Sequence, residues 1–238
     1  MMADMDIYDD EFLAELLRPH WTDHTHDGKV MHEQIPSHVD IGIARLAAAP
    51  DDEFIVGRTS DGEVRWDVTQ EQHLCLFGPA RSGLTTARIA VTANAVARGW
   101  DIISLETSEP AWRAIEGTFD HLDDIRFQRA AVVNLLRKAE TRGTLVVVDD
   151  AAEIAGELVE SLTESDRSDI HLLLVSNTTP KIATELPDSA RCVVGSTQTF
   201  ANRALRRPVR YGRLPRGRCI FETADGRQRL AQVGFVTG

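Results

Sequence analysis

Five short apolar runs constrain this chain more than any other feature: "HLCLF" (73–77), "DIISLE" (101–106), "TLVVVDD" (144–150), "IHLLLVS" (170–176) and "RCVVGS" (191–196). Each has the length of a strand and almost no polar alternation, so each must be buried on both faces. Between them lie stretches that read as helices: 84–98, ended by Gly99, then 125–143, 151–162 and 199–207. Apolar strands alternating with helices build a parallel sheet covered on both sides.

Other elements flank this core. Residues 5–18 place Ile7, Phe12, Leu13, Leu16 and Leu17 at helical spacing, and Pro19 ends that helix. His20 to His38 reads as a loop, and "IGIARLAAAP" as a short helix ending at Pro50. "EFIVGRTSDGEVRWDV" reads as two strands joined at Ser60-Asp61-Gly62. "GRCIFETADGRQRLAQVGFV" is a second hairpin with Asp225-Gly226 at its turn. The expected division is an acidic helical and loop segment, 1–52, followed by one α/β domain, 53–238.

"GPARSGLTT", residues 78–86, nearly fits the phosphate-loop pattern G-x-x-x-x-G-K-[ST]. Gly78, Gly83 and Thr85 fall on their marks, and Leu84 stands where the lysine belongs. The context agrees with the pattern: the loop follows a buried strand and opens a helix. Its glycines let backbone N–H groups turn toward phosphate oxygens, and the helix N-terminus adds its dipole. The expected nucleotide-binding residues are Gly78, Pro79, Ala80, Arg81, Ser82, Gly83, Leu84, Thr85 and Thr86. Asp149 closes the apolar strand 144–149, and with Thr85 it would hold the Mg2+ of a bound ATP. Strand, loop, helix and acidic strand end in this order point to a P-loop NTPase (RecA-like) fold. A Rossmann-like domain with a glycine turn is the plainer alternative.

Leucine at 84 removes a positive charge from the β/γ-phosphates. Losing a charged donor costs about 1.5–3 kcal/mol of binding, and more in the transition state, where charge moves. Arg81 in the loop and Arg88 one turn into the helix are candidates to replace the charge.

The run "VRWDVTQEQHLCLFGPARSGLTT" resembles the entry to the motor domain of the FtsK/SpoIIIE group of ATPases, where Gly57, Arg58, Asp61, Gly62, Trp66, Asp67, His73, Gly78, Ser82, Gly83 and Thr85 match. "ESDRSDIHLLLVSNTTP" matches the same group at Arg167, Ile170, His171 and Pro180, and "RLPRGRCIF" is similar to a late segment of it. The likeness covers about residues 55–238. It implies a ring-forming ATPase that moves double-stranded DNA, or a coupling ATPase of type VII secretion that moves protein. By the same resemblance Asp150 stands where a catalytic glutamate is usual, and Asn177 where a sensor glutamine is usual. Arg167 is the first candidate to act across a subunit interface, and Arg191 the second. "SLETSE" departs from the group's Asp-Pro-Lys. Leu84 and Asp150 together imply impaired or absent hydrolysis.

Charge is unevenly spread over a chain of net charge −11. Residues 1–53 hold thirteen acidic side chains against three basic ones, and residues 201–238 hold nine arginines against two acids. The basic end would suit double-stranded DNA or the acidic end of a neighbouring subunit; a solvated face is the plain reading. No apolar run is long enough to span a membrane. The acidic start "MMADMDIYDDEF" has the wrong sign for a secretory signal. Cys75, Cys192 and Cys219 lie in apolar runs as small core residues, so the expected location is cytoplasmic.

The stretch "HWTDHTHD" places His20, His24 and His26 beside Asp23 and Asp27, a metal-capable composition that no regular element holds in place. Trp66, Trp100 and Trp112 read as core or cap residues, His171 as a core residue, and Trp21 as a loop residue open to a partner. Two functions fit. One is a nucleotide-binding protein with little hydrolysis, acting with a DNA-translocating or DNA-transfer assembly. The other is a pseudo-ATPase adaptor that docks a protein partner without nucleotide, using the acidic N-terminal helix.

Overall fold

The computed structural model describes residues 35–36, 38–106, 122–124, 143–149, 169–179, 184, 186–210 and 213–237. Its frame is a 10-stranded sheet. The apolar runs form β4 (His73–Phe77), β5 (Asp101–Glu106), β7 (Thr144–Asp149), β8 (Ile170–Ser176) and β9 (Ser189–Val194), with a short edge strand β6 (Leu122–Asp124) beside β5. These pair in parallel in the order β9-β4-β8-β7-β5-β6. The other half of the sheet is antiparallel. β10 (Arg218–Glu222) pairs with β9, and β11 (Gln228–Val233), β2 (Glu53–Arg58) and β3 (Glu63–Asp67) follow outward. Both hairpins foreseen in the sequence therefore extend the parallel sheet and do not stand apart from it.

Alternate residues of the strands point to opposite faces. Cys75, Phe77, Val146, Val148, Leu172 and Leu174 line one face, where α3 (Gln198–Ala204) packs through Ala201 and Ala204. Leu74, Leu76, Leu145, Val147, Leu173 and Val175 line the other, under α2 (Leu84–Ala97) with its Ala87, Val91 and Ala95. Small residues on α2 bring its axis close to the strands. A third apolar group sits behind α2, where Val39, Ile41 and Leu46 meet Ile55 and Ala93. There β1 (Asp40–Gly42) leads into α1 (Ile43–Ala48), and β1 pairs in parallel with β12 (Phe235–Thr237). Ile41 and Gly42 are thus strand, although the sequence reads them as the start of a helix.

Trp66 and Trp100 are core residues, as expected, and both rings pack against Phe54. His171 is a satisfied core histidine: its Nδ1 lies 3.0 Å from the Gln72 carbonyl, and its ring lies against Trp100. All three cysteines are free and buried, and burial pushes the Cys75 thiol up to about 12. Among the described residues no helix is long and apolar enough to cross a membrane. The N-terminal helix, the helices expected at 125–143 and 151–162, the histidine-rich stretch, Trp21 and Trp112 lie outside the described residues.

Candidate functional site

The site lies at the C-terminal ends of the central parallel strands. β4 ends at Phe77 and the chain enters the loop at Gly78, whose N–H donates to the Ser176 carbonyl at the end of β8 (3.2 Å). A side chain at 78 would be blocked: its Cβ would fall 2.5 Å from Ser82 Oγ and 2.7 Å from the Val194 carbonyl. Pro79 and Ala80 carry the turn, closed by Ser82 N–H on the Pro79 carbonyl (3.1 Å). Arg81 stands exposed at the crown with φ 65°, and Gly83 has φ 103°, so the chain twice enters the left-handed region before the helix starts.

Helix α2 begins at Leu84 with no side-chain cap on its first turn. Its first bond runs from Ala87 N–H to the Gly83 carbonyl (3.1 Å). The N–H groups of Gly83, Leu84, Thr85 and Thr86 therefore lie ahead of the helical ladder, at the positive end of the dipole. Inside the loop, Ser82 is 4% exposed and its Oγ has no hydrogen-bond partner. An uncapped 14-residue helix, a glycine cradle and an orphaned buried hydroxyl make a fitting receptor for a phosphate group.

Leu84 does not face that receptor. It is partly buried and packs against the apolar group under α2. Thr85 is exposed on the first turn and Thr86 half-buried beside it. Asp149 ends β7, one strand beyond β8, and Asn177 lies exposed just past the end of β8. The fold thus gathers the loop, Asp149 and Asn177 at the ends of adjacent strands. Asp150 and Arg167 lie outside the described residues.

Three features were not foreseen. Arg88 is 4% exposed and its Nη1 donates to Asp149 Oδ2, so it faces the acidic strand end. It was a candidate for the lysine's role, and in this structure it bonds the carboxylate. A signal was present, since Arg88 is the one charged residue in Leu84–Ala97 and lies one turn from Thr85. The segment before β10 braces the loop from behind: Gly217 N–H donates to the Ser82 carbonyl (2.8 Å), and Gly195 N–H to the Arg218 carbonyl (2.7 Å). A Cβ at Gly195 would fall 2.6 Å from the Ser82 carbonyl. Arg191, expected at a subunit interface, is buried and donates to the Ala204 carbonyl (2.9 Å) and to the Thr184 carbonyl. Two of its nitrogens thus serve its own chain, and its Nε has no hydrogen-bond partner.

No protein-family model matches the chain, and no curated protein sequence matches it. Solved structures do. The cytoplasmic domain of the type VII secretion ATPase EccC from Thermomonospora curvata is 17% identical with a TM-score of 0.64, over 86% of this chain and 28% of that one. EssC (ATPases 2 and 3) from Geobacillus thermodenitrificans is 12% identical with a TM-score of 0.65, over 85% of this chain and 45% of that one. The pCW3 conjugation coupling protein TcpA, in its monomer form with ATPγS, is 15% identical with a TM-score of 0.63, over 85% of this chain and 71% of that one. The chain thus spans less than half the length of the EccC and EssC proteins it matches. At these identities the likeness concerns the fold, and it agrees with the sequence resemblance: the chain has the FtsK/SpoIIIE-type P-loop ATPase fold.

Proposed function

We propose that this protein binds a nucleoside triphosphate in the loop 78–86 with little or no hydrolysis, as one unit of a larger DNA- or protein-moving assembly. The observation that carries the reading is the loop itself. Helix α2 starts uncapped, directly after a buried Ser82 hydroxyl that lacks a partner. Phosphate oxygens would satisfy the free N–H groups of the helix start. TcpA was solved with ATPγS, which supports a nucleotide at a similar fold. Impaired hydrolysis follows from Leu84, which offers no charge to the phosphates and packs toward the core. Within the reading, Asp149 and Asn177 flank the phosphates, and Asp150 and Arg167 keep the roles that the resemblance gives them. Residues 53–238 form the nucleotide domain, with β1 and α1 of the acidic segment 1–52 packed onto it.

For the partner we favour double-stranded DNA. Arg203, Arg210, Arg213 and Arg216 are exposed near the C-terminal end, and such a surface fits a polyanion. A second reading has its own support. EccC was solved in complex with a signal sequence peptide, so a protein partner suits this fold too.

The test is calorimetry with ATP on the protein and on Leu84→Lys. Wild type is expected to bind weakly, and the lysine variant about 10- to 100-fold more tightly, as one restored charged donor implies. No binding by either protein would leave the pseudo-ATPase adaptor as the better reading.

A further inference from the structure

We propose that Arg88 is the resident cation of this site and that the loop takes a nucleoside triphosphate free of divalent metal. The inference rests on the nucleotide reading above and concerns the form in which the nucleotide binds. In this fold the strand-end carboxylate orients the water shell of a Mg2+ ion. Here that carboxylate, Asp149, accepts from Arg88. Mg2+ demands near-ideal octahedral geometry and gives up its waters reluctantly. A carboxylate already bonded to a guanidinium is poorly placed to hold that shell, and the guanidinium adds like-charge repulsion to any incoming cation.

Nor can Arg88 readily let go. It is 4% exposed, whereas Asp149 keeps 28% of its side chain accessible. A buried charge that loses a hydrogen-bonded carboxylate is costly. A guanidinium has five donors in a planar fork, so one group can hold a carboxylate and a phosphate oxygen together. Arg88 lies one turn along α2 from Thr85. In this arrangement the Thr85 hydroxyl serves a phosphate oxygen directly and not a metal ion. The arginine supplies charge that would otherwise come from Leu84's missing ammonium and from Mg2+, but it is fixed in the fold and cannot move with the transferred phosphoryl group. A site built so would hold the nucleotide and not turn it over.

The experiment is ATP binding to the protein by calorimetry, once with excess Mg2+ and once with excess EDTA. The expected result is the same Kd in both, within about twofold. Binding that needs Mg2+, or that tightens about tenfold or more with it, overturns the metal-free inference and leaves the nucleotide reading standing. Binding in neither condition overturns the nucleotide reading itself. Arg88→Met should lose binding in EDTA and recover part of it with Mg2+, because the guanidinium no longer occupies the Asp149 carboxylate. Arg88→Lys should keep binding in EDTA. Equal binding by wild type and Arg88→Met in EDTA would show that the arginine is not the cation. The wild-type comparison stands alone if the methionine variant does not fold.

Discussion

A methyl group has no room at position 78. The nearest atoms to a Cβ there, at 2.5 and 2.7 Å, are a hydroxyl inside a tight turn and a backbone carbonyl of β9. The hydroxyl could rotate; the carbonyl belongs to a buried strand and could not. Gly78→Ala must therefore push the loop away from β9 or distort the strand. Overpacking of this kind costs about 1–3 kcal/mol. The expected outcome is a lower urea midpoint together with loss of ATP binding, because the N–H groups of the loop are displaced with it. A variant that kept full stability and full binding would show that the cradle is not needed. The loop glycines and Leu84 were legible in the sequence because the motif fixes their spacing. The Arg88–Asp149 contact was not. It joins residues 61 positions apart, and only the packing of α2 against the sheet decides which way that guanidinium points.

At the scale of elements, a buried asparagine helps fasten α2 to the antiparallel half of the sheet. Asn94 is fully buried; its Oδ1 accepts from Ile55 N–H (2.8 Å) and its Nδ2 donates to the Ile55 carbonyl (2.9 Å). β2 has a register irregularity between Ile55 and Gly57, and the amide satisfies its backbone there. Asn94→Leu keeps the branched shape of the side chain and removes both bonds, leaving a buried N–H and carbonyl without that partner. The expected cost is about 2–4 kcal/mol, read as a lower urea midpoint with an unchanged m-value. A neutral result would mean that water or a shift of β2 replaces the amide. The strands β4, β7 and β8 were readable to within a residue or so, since continuous apolar runs bounded by polar residues admit few alternatives. The pairing of β10 with β9 and of β11 with β2 was not readable. Hairpin turns fix local register, but nothing local says which edge a hairpin joins. β1 and β12 were missed for a related reason: each is three residues long and exists only because the other is there.

Across the whole molecule, two buried groups pull stability in opposite directions with pH. His73, at the start of β4, is held down to about 4, first by burial and then by the neighbouring His171. An imidazole with a lowered pKa contributes stability that is present above about 6.5 and lost as pH falls through the folded value. Glu71 is 4% exposed in the turn before β4, and its Oε1 accepts from Ala224 N–H (2.8 Å) in the far hairpin. Burial is the main cause that raises its carboxyl to about 6; Asp67 and Asp225 add to this, while the Ala224 N–H and Arg206 oppose it. A raised carboxyl works the other way. Its ionised form is disfavoured in the fold, so it penalises stability above about pH 6, and the penalty fades as pH falls toward its ordinary value. Glu71→Gln keeps an acceptor for Ala224 and removes the charge. The variant should be more stable than wild type near pH 7.5, by up to about 2 kcal/mol. That advantage should vanish near pH 4.5, so the histidine loss shows as a steeper acid slope in the variant. Urea midpoints of both proteins from pH 8 to pH 4.5 would decide it. A stability difference that stays constant with pH would mean that the fold does not raise the Glu71 carboxyl above its ordinary value, and that the tie between the two hairpins does not depend on its charge.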